Sequence, residues 1–202
     1  MIIAPDWLTG KVKTGNIKMT KCNLRKGKGT GGEKDMLGWI PDQVEDGFAR
    51  LEPKALAERG VRVVLADMDN TLTRYGQPEP DDSVLRWRDD LQREGISLFV
   101  VSNSRRPHRA RRFCEALAVP WIGHAGKPHR ASFLLALERS GCQAEEAVMI
   151  GDQIFTDVWG AHNAGIRAIY LRPIALDTIW RRLRYWIEAP MRGLCRLRGG
   201  HI

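Results

Sequence analysis

The chain has 202 residues, of which 43% are apolar and 28% charged, and a formal net charge of +8. That length suits one well-cored domain with a tail or small appendage. Cysteines 22, 114, 142 and 195 lack paired spacing, so neither zinc nor a disulfide framework is indicated, and with no secretory h-region or bilayer-length apolar run the protein reads as cytoplasmic with reduced thiols.

Residues 1–35 include "KCNLRKGKGTGGEKD", rich in Lys and Gly and without apolar periodicity, and are expected to be disordered. They hold eight Lys/Arg against three acids, a net +5, which leaves +3 for the rest. A body that mildly basic is not the footprint of a dedicated nucleic-acid site. Met36 opens "MLGWIPDQ", where ordinary structure begins, so residues 1–35 are either a basic tail or a stretch upstream of the true start. Peptides detected upstream of Met36 would exclude the second reading.

Strand and helix signals then alternate. "VRVVLAD" is a continuous apolar run, as a parallel strand covered on both faces requires. Ser83 can cap a helix running through Glu94, with Val84, Trp87 and Leu91 on one face and Gly95 as the stop. "ISLFVVSNS" is a second strand, and Pro107 then opens a helix whose face carries Ala110, Phe113, Cys114 and Leu117. "AVPWIGH" is a short third strand, and residues 129–140 form a helix closed by Gly141. "AVMIGD" and "RAIYL" are further strands, with a short helix over 156–164 between them. This order predicts an α/β fold, a three-layer sandwich around a central parallel sheet of about five strands. Right-handed crossovers put every strand's carboxyl end on one edge, where such sheets bind ligands.

Four polar clusters fall at that edge: Asp67 with Asp69, Ser102-Asn103, Lys127-Pro128, and Asp152 with Asp157. Two carboxylates closing a buried strand repel one another and resist desolvation, which points to a metal ion. Each residue type fits one part in phosphoryl transfer. Asp67 can attack phosphorus and form an aspartyl-phosphate. Mg²⁺, held by Asp67 and Asp152, neutralises the charge of an anion attacking a phosphate dianion. Lys127 adds a fixed cation, while the Ser102 hydroxyl and Asn103 backbone N–H can bind equatorial oxygens. Asp69 can protonate the leaving alkoxide and then activate water.

Taken in order, "DMDNTLT", "VSNS", "GKP" and "GDQIFTDVWG" resemble the haloacid-dehalogenase (HAD) superfamily motifs DxDxT, S/T, K and GDxxxxD. The DNTL run, the KP pair and "GDQIFTDV" look like the YqeG-type HAD IIIA phosphatases, a family related to mitochondrial phosphatidylglycerophosphatase. The resemblance covers about Met36 to Thr178 and implies a Rossmann-like hydrolase domain over 36–178. It also implies Asp67 as nucleophile, Asp69 as general acid/base and the Asp69 backbone carbonyl as a metal ligand beside Asp67 and Asp152. Asp157 would support the metal and Thr71 would brace the loop.

The spacings from Asp67 to Ser102, 35 residues, and from Ser102 to Lys127, 25 residues, are filled by one helix and one strand each, so neither holds a cap domain. A capless site suits phosphate presented on something large, such as a lipid headgroup. The helix after "VSNS" carries Arg105, Arg106, His108, Arg109, Arg111 and Arg112, either a solvated face or an attractor of polyanions. Residues 179–202 form a basic amphipathic helix and tail, with Ile179, Trp180, Leu183, Trp186 and Ile187 on one face beside arginines 181, 182 and 184. Most such stripes face a core, so docking on the domain is the expectation. The rival is a helix in the headgroup layer of an anionic membrane, which would make the protein peripheral to its inner face. The function expected is Mg²⁺-dependent phosphomonoester hydrolysis, with phosphatidylglycerophosphate leading and soluble nucleotide, flavin or sugar phosphates second. An RNA- or ribosome-binding module with secondary catalysis is the rival from another class.

Overall fold

The computed structural model describes residues 38–104 and 106–199. The expectations for residues 1–35 and for Arg105 lie outside them. Six parallel strands form one sheet: β1 (Gln43–Glu45), β2 (Val63–Ala66), β3 (Ser97–Val101), β4 (Trp121–Ile122), β5 (Ala147–Gly151) and β6 (Arg167–Leu171), in the order β1-β6-β5-β2-β3-β4. The strand beyond the expected five is β1, three half-buried residues on the edge beside β6, too short for its pattern to stand out.

Side chains alternate across the sheet and split the core in two. Val64, Ala66, Leu98, Val100, Val148 and Ile150 face α1 (Pro53–Glu58), α2 (Asp82–Arg93) and α3 (Pro107–Leu117). Val63, Leu65, Phe99, Val101, Ala147 and Met149 face α4 (Ala131–Ser140) and α5 (Trp159–Asn163). Val84, Trp87 and Leu91 of α2 and Ala110, Phe113, Cys114 and Leu117 of α3 are all buried, so both predicted faces meet the sheet. The result is the α/β three-layer sandwich the alternation predicts. Helix α2 has Asp81, not Ser83, at its N-cap position. The helix expected over 156–164 opens two residues earlier as a π-helical turn, Ile154–Val158, that runs directly into α5.

No inserted domain separates β2 from α2 or β3 from α3 and β4: residues 73–81 form a loop, and residues 102–106 join β3 to α3. Strands β3 and β4 lie to one side of β2, whereas the chain returns to put β5 on the other. The switch point at the β2/β5 carboxyl ends is where open parallel sheets hold ligands.

After β6 come α6 (Ile179–Ile187) and α7 (Ala189–Leu197), two short helices where one was expected, broken at the buried Glu188 with Pro190 opening the second. Docking of the apolar stripe on the core does not occur. Ile179, Trp180, Leu183, Trp186 and Ile187 are all exposed, and it is Arg181, Arg184 and Tyr185 that face the domain. The reason is the surface offered to the helix: beneath it lie Asp152 and the ring of Tyr75, which take arginines and not leucines. Among the described residues no helix is long and apolar enough to cross a membrane.

Candidate active site

Strand β2 is fully buried between β3 and β5, and the ladder continues one residue past it, the Asp67 N–H donating to the Ile150 carbonyl at 3.0 Å. Asp67 therefore ends beside the Gly151-Asp152 terminus of β5. A tight reversal follows. Asn70 takes a left-handed backbone (φ 64°) and donates to the Thr73 carbonyl at 2.7 Å, while Leu72 and Thr73 N–H groups return to the Met68 carbonyl. Thr71 is buried within this turn, with no hydrogen-bond partner for its hydroxyl among the described residues.

On β5, Gly151 has no Cβ where the Asp157 carboxyl packs; an added Cβ would overlap that carboxyl's Cβ, Cγ and Oδ2. The π-helical turn carries Asp157 back to this point, and its Oδ2 accepts from the Gln153 N–H at 3.2 Å. Beyond β3, Ser102 is buried, its hydroxyl oxygen accepting from the Ser104 N–H at 3.1 Å. Asn103 grips Lys127 from both sides: its amide donates to the Lys127 carbonyl at 3.1 Å and its Oδ1 accepts from the Lys127 N–H at 2.9 Å.

Lys127 Nζ lies 2.6 Å from Asp67 Oδ1 and 2.7 Å from Asp157 Oδ1, its side chain 1% exposed. Burial opposes its charge, but Asp157 and Asp67 prevail and hold the ammonium above its ordinary pKa. Asp67, Asp152 and Asp157 each bring a carboxylate oxygen within 4.8 Å of the others. Burial, reinforced by Asp157 and Asp67, raises the Asp152 carboxyl well above its usual range. Burial likewise raises Asp157 to about 6, against the pull of Lys127. Three buried carboxylates faced by Lys127 and, at 3.5 Å from Asp152 Oδ2, by Arg184 still leave one negative charge uncompensated, and Asp152 Oδ2 makes no hydrogen bond among the described residues. An all-oxygen anionic set of this kind fits a hard divalent cation.

The Asp69 carboxylate stands apart from this trio, the metal contact expected of that residue being through its backbone carbonyl. Both its oxygens lie 2.5 Å from Arg109 Nη2, and Arg109 Nη1 donates to the Gln77 carbonyl at 2.9 Å. Burial raises the Asp69 pKa in spite of Arg109. The rim is basic and aromatic: Arg184 Nη2 is 3.5 Å from Asp152 Oδ2, and Arg109 and Arg181 lie 5.8 and 4.4 Å from the Tyr75 ring centre. Asp67, Asp69, Ser102, Asn103, Lys127, Asp152 and Asp157 thus lie at one sheet edge, where Lys127 bridges Asp67 to Asp157 and is gripped by Asn103.

Three further residues bear on the site through partners that no local pattern shows, although Arg109 and Arg184 stand out as basic residues. Arg109 reaches Asp69 across 40 residues, Arg184 comes from α6 to Asp152, and the buried Glu188 accepts from the Ile154 N–H at 2.9 Å across 34 residues. Burial pushes the Glu188 carboxyl up to about 7. The arginines of α3 are also less available than their number suggests, since Arg109 is on Asp69, Arg111 on Glu115 and Arg112 on Glu79.

A family model for haloacid dehalogenase-like hydrolases matches residues 32–165. The chain is 32% identical over 165 residues to the probable phosphatase YqeG of Bacillus subtilis, covering 81% of this chain and 95% of that one. A 47-residue stretch, 23% of this chain, is 53% identical to haloacid dehalogenase-like hydrolase domain-containing protein 2 of Bos taurus but spans only 18% of that protein. Among solved structures, an uncharacterized protein from Listeria monocytogenes aligns over 59% of this chain and 84% of its own, at 21% identity and a TM-score of 0.48, too loose a likeness to argue from.

Proposed function

The chain belongs to the haloacid dehalogenase-like hydrolases, and from that premise we propose that this phosphatase works through an aspartyl-phosphate on Asp67. The observation that carries the reading is Lys127, buried and shared by Asp67 and Asp157, beside an Asp152 Oδ2 that makes no hydrogen bond among the described residues. An Asp67 oxygen attacks the phosphorus of a phosphomonoester as the bond to the ester oxygen breaks. Asp69, protonated at the start, gives its proton to the leaving alkoxide. Its raised pKa favours that protonated form. In the second half, Asp69 takes a proton from water as the water attacks the acyl-phosphate, which releases inorganic phosphate and restores Asp67. Lys127 holds the nucleophile and faces the phosphate with a fixed cation, while the Ser102 hydroxyl and Asn103 N–H receive equatorial oxygens. Thr71, buried in the turn that carries Asp69, would brace it by packing. Asp67 and Asp152, with the Asp69 carbonyl and with Asp157 in support, would hold Mg²⁺, which supplies charge neutralisation when bound.

The leading substrate is phosphatidylglycerophosphate. Three things favour it: the likeness to a YqeG-type phosphatase, the lack of an inserted domain over the sheet edge, and a rim of arginines suited to an anionic headgroup. Nucleic acid as the main partner is disfavoured, because the α3 arginines are engaged with acids of the same chain. The test is Mg²⁺-dependent phosphate release from phosphatidylglycerophosphate in anionic vesicles, beside a panel of soluble phosphomonoesters, with Asp67→Asn as the blank. Preference for the lipid is expected. Turnover of soluble esters alone would keep the mechanism and discard the lipid. Salt-sensitive RNA binding that survives Asp67→Asn, without turnover of any ester, would replace the enzyme reading altogether.

A further inference from the structure

Of the ten large hydrophobic side chains exposed among the described residues, seven lie in α6 and α7: Ile179, Trp180, Leu183, Trp186, Ile187, Leu194 and Leu197. A helix packed on its own domain turns its apolar stripe inward. Here the stripe points outward, with Trp180 and Trp186 75% and 73% exposed. Polar contacts fix the other side: Arg181 over Tyr75, Arg184 beside Asp152, and Glu188 on the Ile154 N–H. In α7, Arg192 is buried, 5.2 Å from the Tyr170 ring centre and 3.9 Å from that of Tyr185, which ties the second helix to the first and to the sheet. Helix α6 is therefore held to the rim by polar contacts while its apolar stripe faces outward, and α7 is anchored by Arg192, Met191 and Cys195 while Leu194 and Leu197 stay exposed. Seven exposed apolar side chains on two consecutive helices, interleaved with exposed arginines, mark an interaction surface.

We propose that this face docks on an anionic lipid bilayer and seats the acidic centre at headgroup level. The charge of the surround selects that occupant. Residues 179–199 carry six arginines against the single, buried Glu188, and Arg182, Arg196 and Arg198 stay exposed beside the stripe. Tryptophan and leucine toward the acyl boundary with arginine toward anionic headgroups is the pattern of a helix lying in the interface. A second copy of the chain packed on the stripe would bring these arginines against their own equivalents, and residues 1–35, at net +5, carry the same sign. Because the inward side of α6 touches Asp152 and Tyr75, a bilayer on its outward side lies about one helix diameter, roughly 10 Å, from the carboxylates. The docking deepens the lipid-phosphate reading above, and rests on it only for what the headgroup layer presents to Asp67.

Flotation of the full chain with phosphatidylcholine vesicles, with and without phosphatidylglycerol, tests the proposal directly. The chain floats with the anionic vesicles at low salt, is released as salt rises, and stays behind with pure phosphatidylcholine. Trp180→Ser with Trp186→Ser lowers the affinity by about tenfold or more, as loss of two buried rings requires. Leu183→Gln with Leu197→Gln acts in the same direction should the tryptophan variant fold poorly. Neither pair touches the carboxylates, so turnover of p-nitrophenyl phosphate is unchanged. Absence of flotation with anionic vesicles, or flotation that both double variants leave intact, overturns the proposal. So does a wild-type dimer that the tryptophan variant converts to monomer, which would make a second copy the occupant. Flotation without turnover of any ester would leave the docking standing and remove the phosphatase reading.

Discussion

Replacing Lys127 with methionine keeps most of the side-chain volume and removes one charge from a buried cluster of Lys127, Asp67 and Asp157. At 2.6 and 2.7 Å, and with an effective dielectric of about 20, each contact to Asp67 and Asp157 is worth about 6 kcal/mol of gross Coulomb attraction. Most of that offsets the cost of stripping water from an ammonium whose side chain is 1% exposed. The loss on removing one partner is dominated by what remains, two carboxylates buried without a cation, and comes to about 3–5 kcal/mol. In a domain of this size that corresponds to a melting point lower by roughly 6–20 °C. The assay is urea unfolding in chelator, so that metal cannot stand in for the lysine. Asp157→Asn placed on the Lys127→Met background should recover part of the loss, because it removes one of the two stranded charges. Simple additivity of the two changes, or a Lys127→Met loss under about 1 kcal/mol, would refute the reading of Lys127 as the cation that makes this carboxylate cluster tolerable.

Arg109→Gln removes the cation that opposes the burial-driven rise of the Asp69 pKa, so the pKa assigned to Asp69 in the pH profile of p-nitrophenyl phosphate hydrolysis moves upward; an unmoved profile would detach Asp69 from proton transfer. Gly151→Ala drives a Cβ into the Asp157 carboxyl and should lower Mg²⁺-dependent turnover by at least about tenfold, read as a raised Mg²⁺ requirement in a titration. In the folded chain His162 has a raised pKa: burial opposes its charge, but Asp42 Oδ2 at 2.9 Å and the Gly38 carbonyl at 2.8 Å prevail. Its contribution is then complete below its unfolded pKa of about 6.5 and disappears as pH rises through the folded value, so His162→Gln should flatten stability against pH across that window in urea titrations.

What the sequence determined without help is whatever depends on short-range pattern. Apolar runs such as Val63–Ala66 and Ala147–Gly151 declare buried parallel strands, because a strand covered on both faces has no polar side to show. The faces of α2 and α3 were legible for the same reason of period, and motif order placed Asp67, Lys127 and Asp152 on one edge, since the strands of a parallel sheet all end on the same side. Pattern could not show which partner a long side chain chooses. Arg109 reads as one of several basic residues on α3 until the fold sets it against Asp69, and Glu188 reads as an ordinary polar residue until it meets the Ile154 N–H. The direction of α6 was likewise decided only in three dimensions. Its amphipathic period fixes that one face is apolar but not which neighbour it meets. The acidic centre and Tyr75 claim its arginines, and the apolar face is left turned away from the domain.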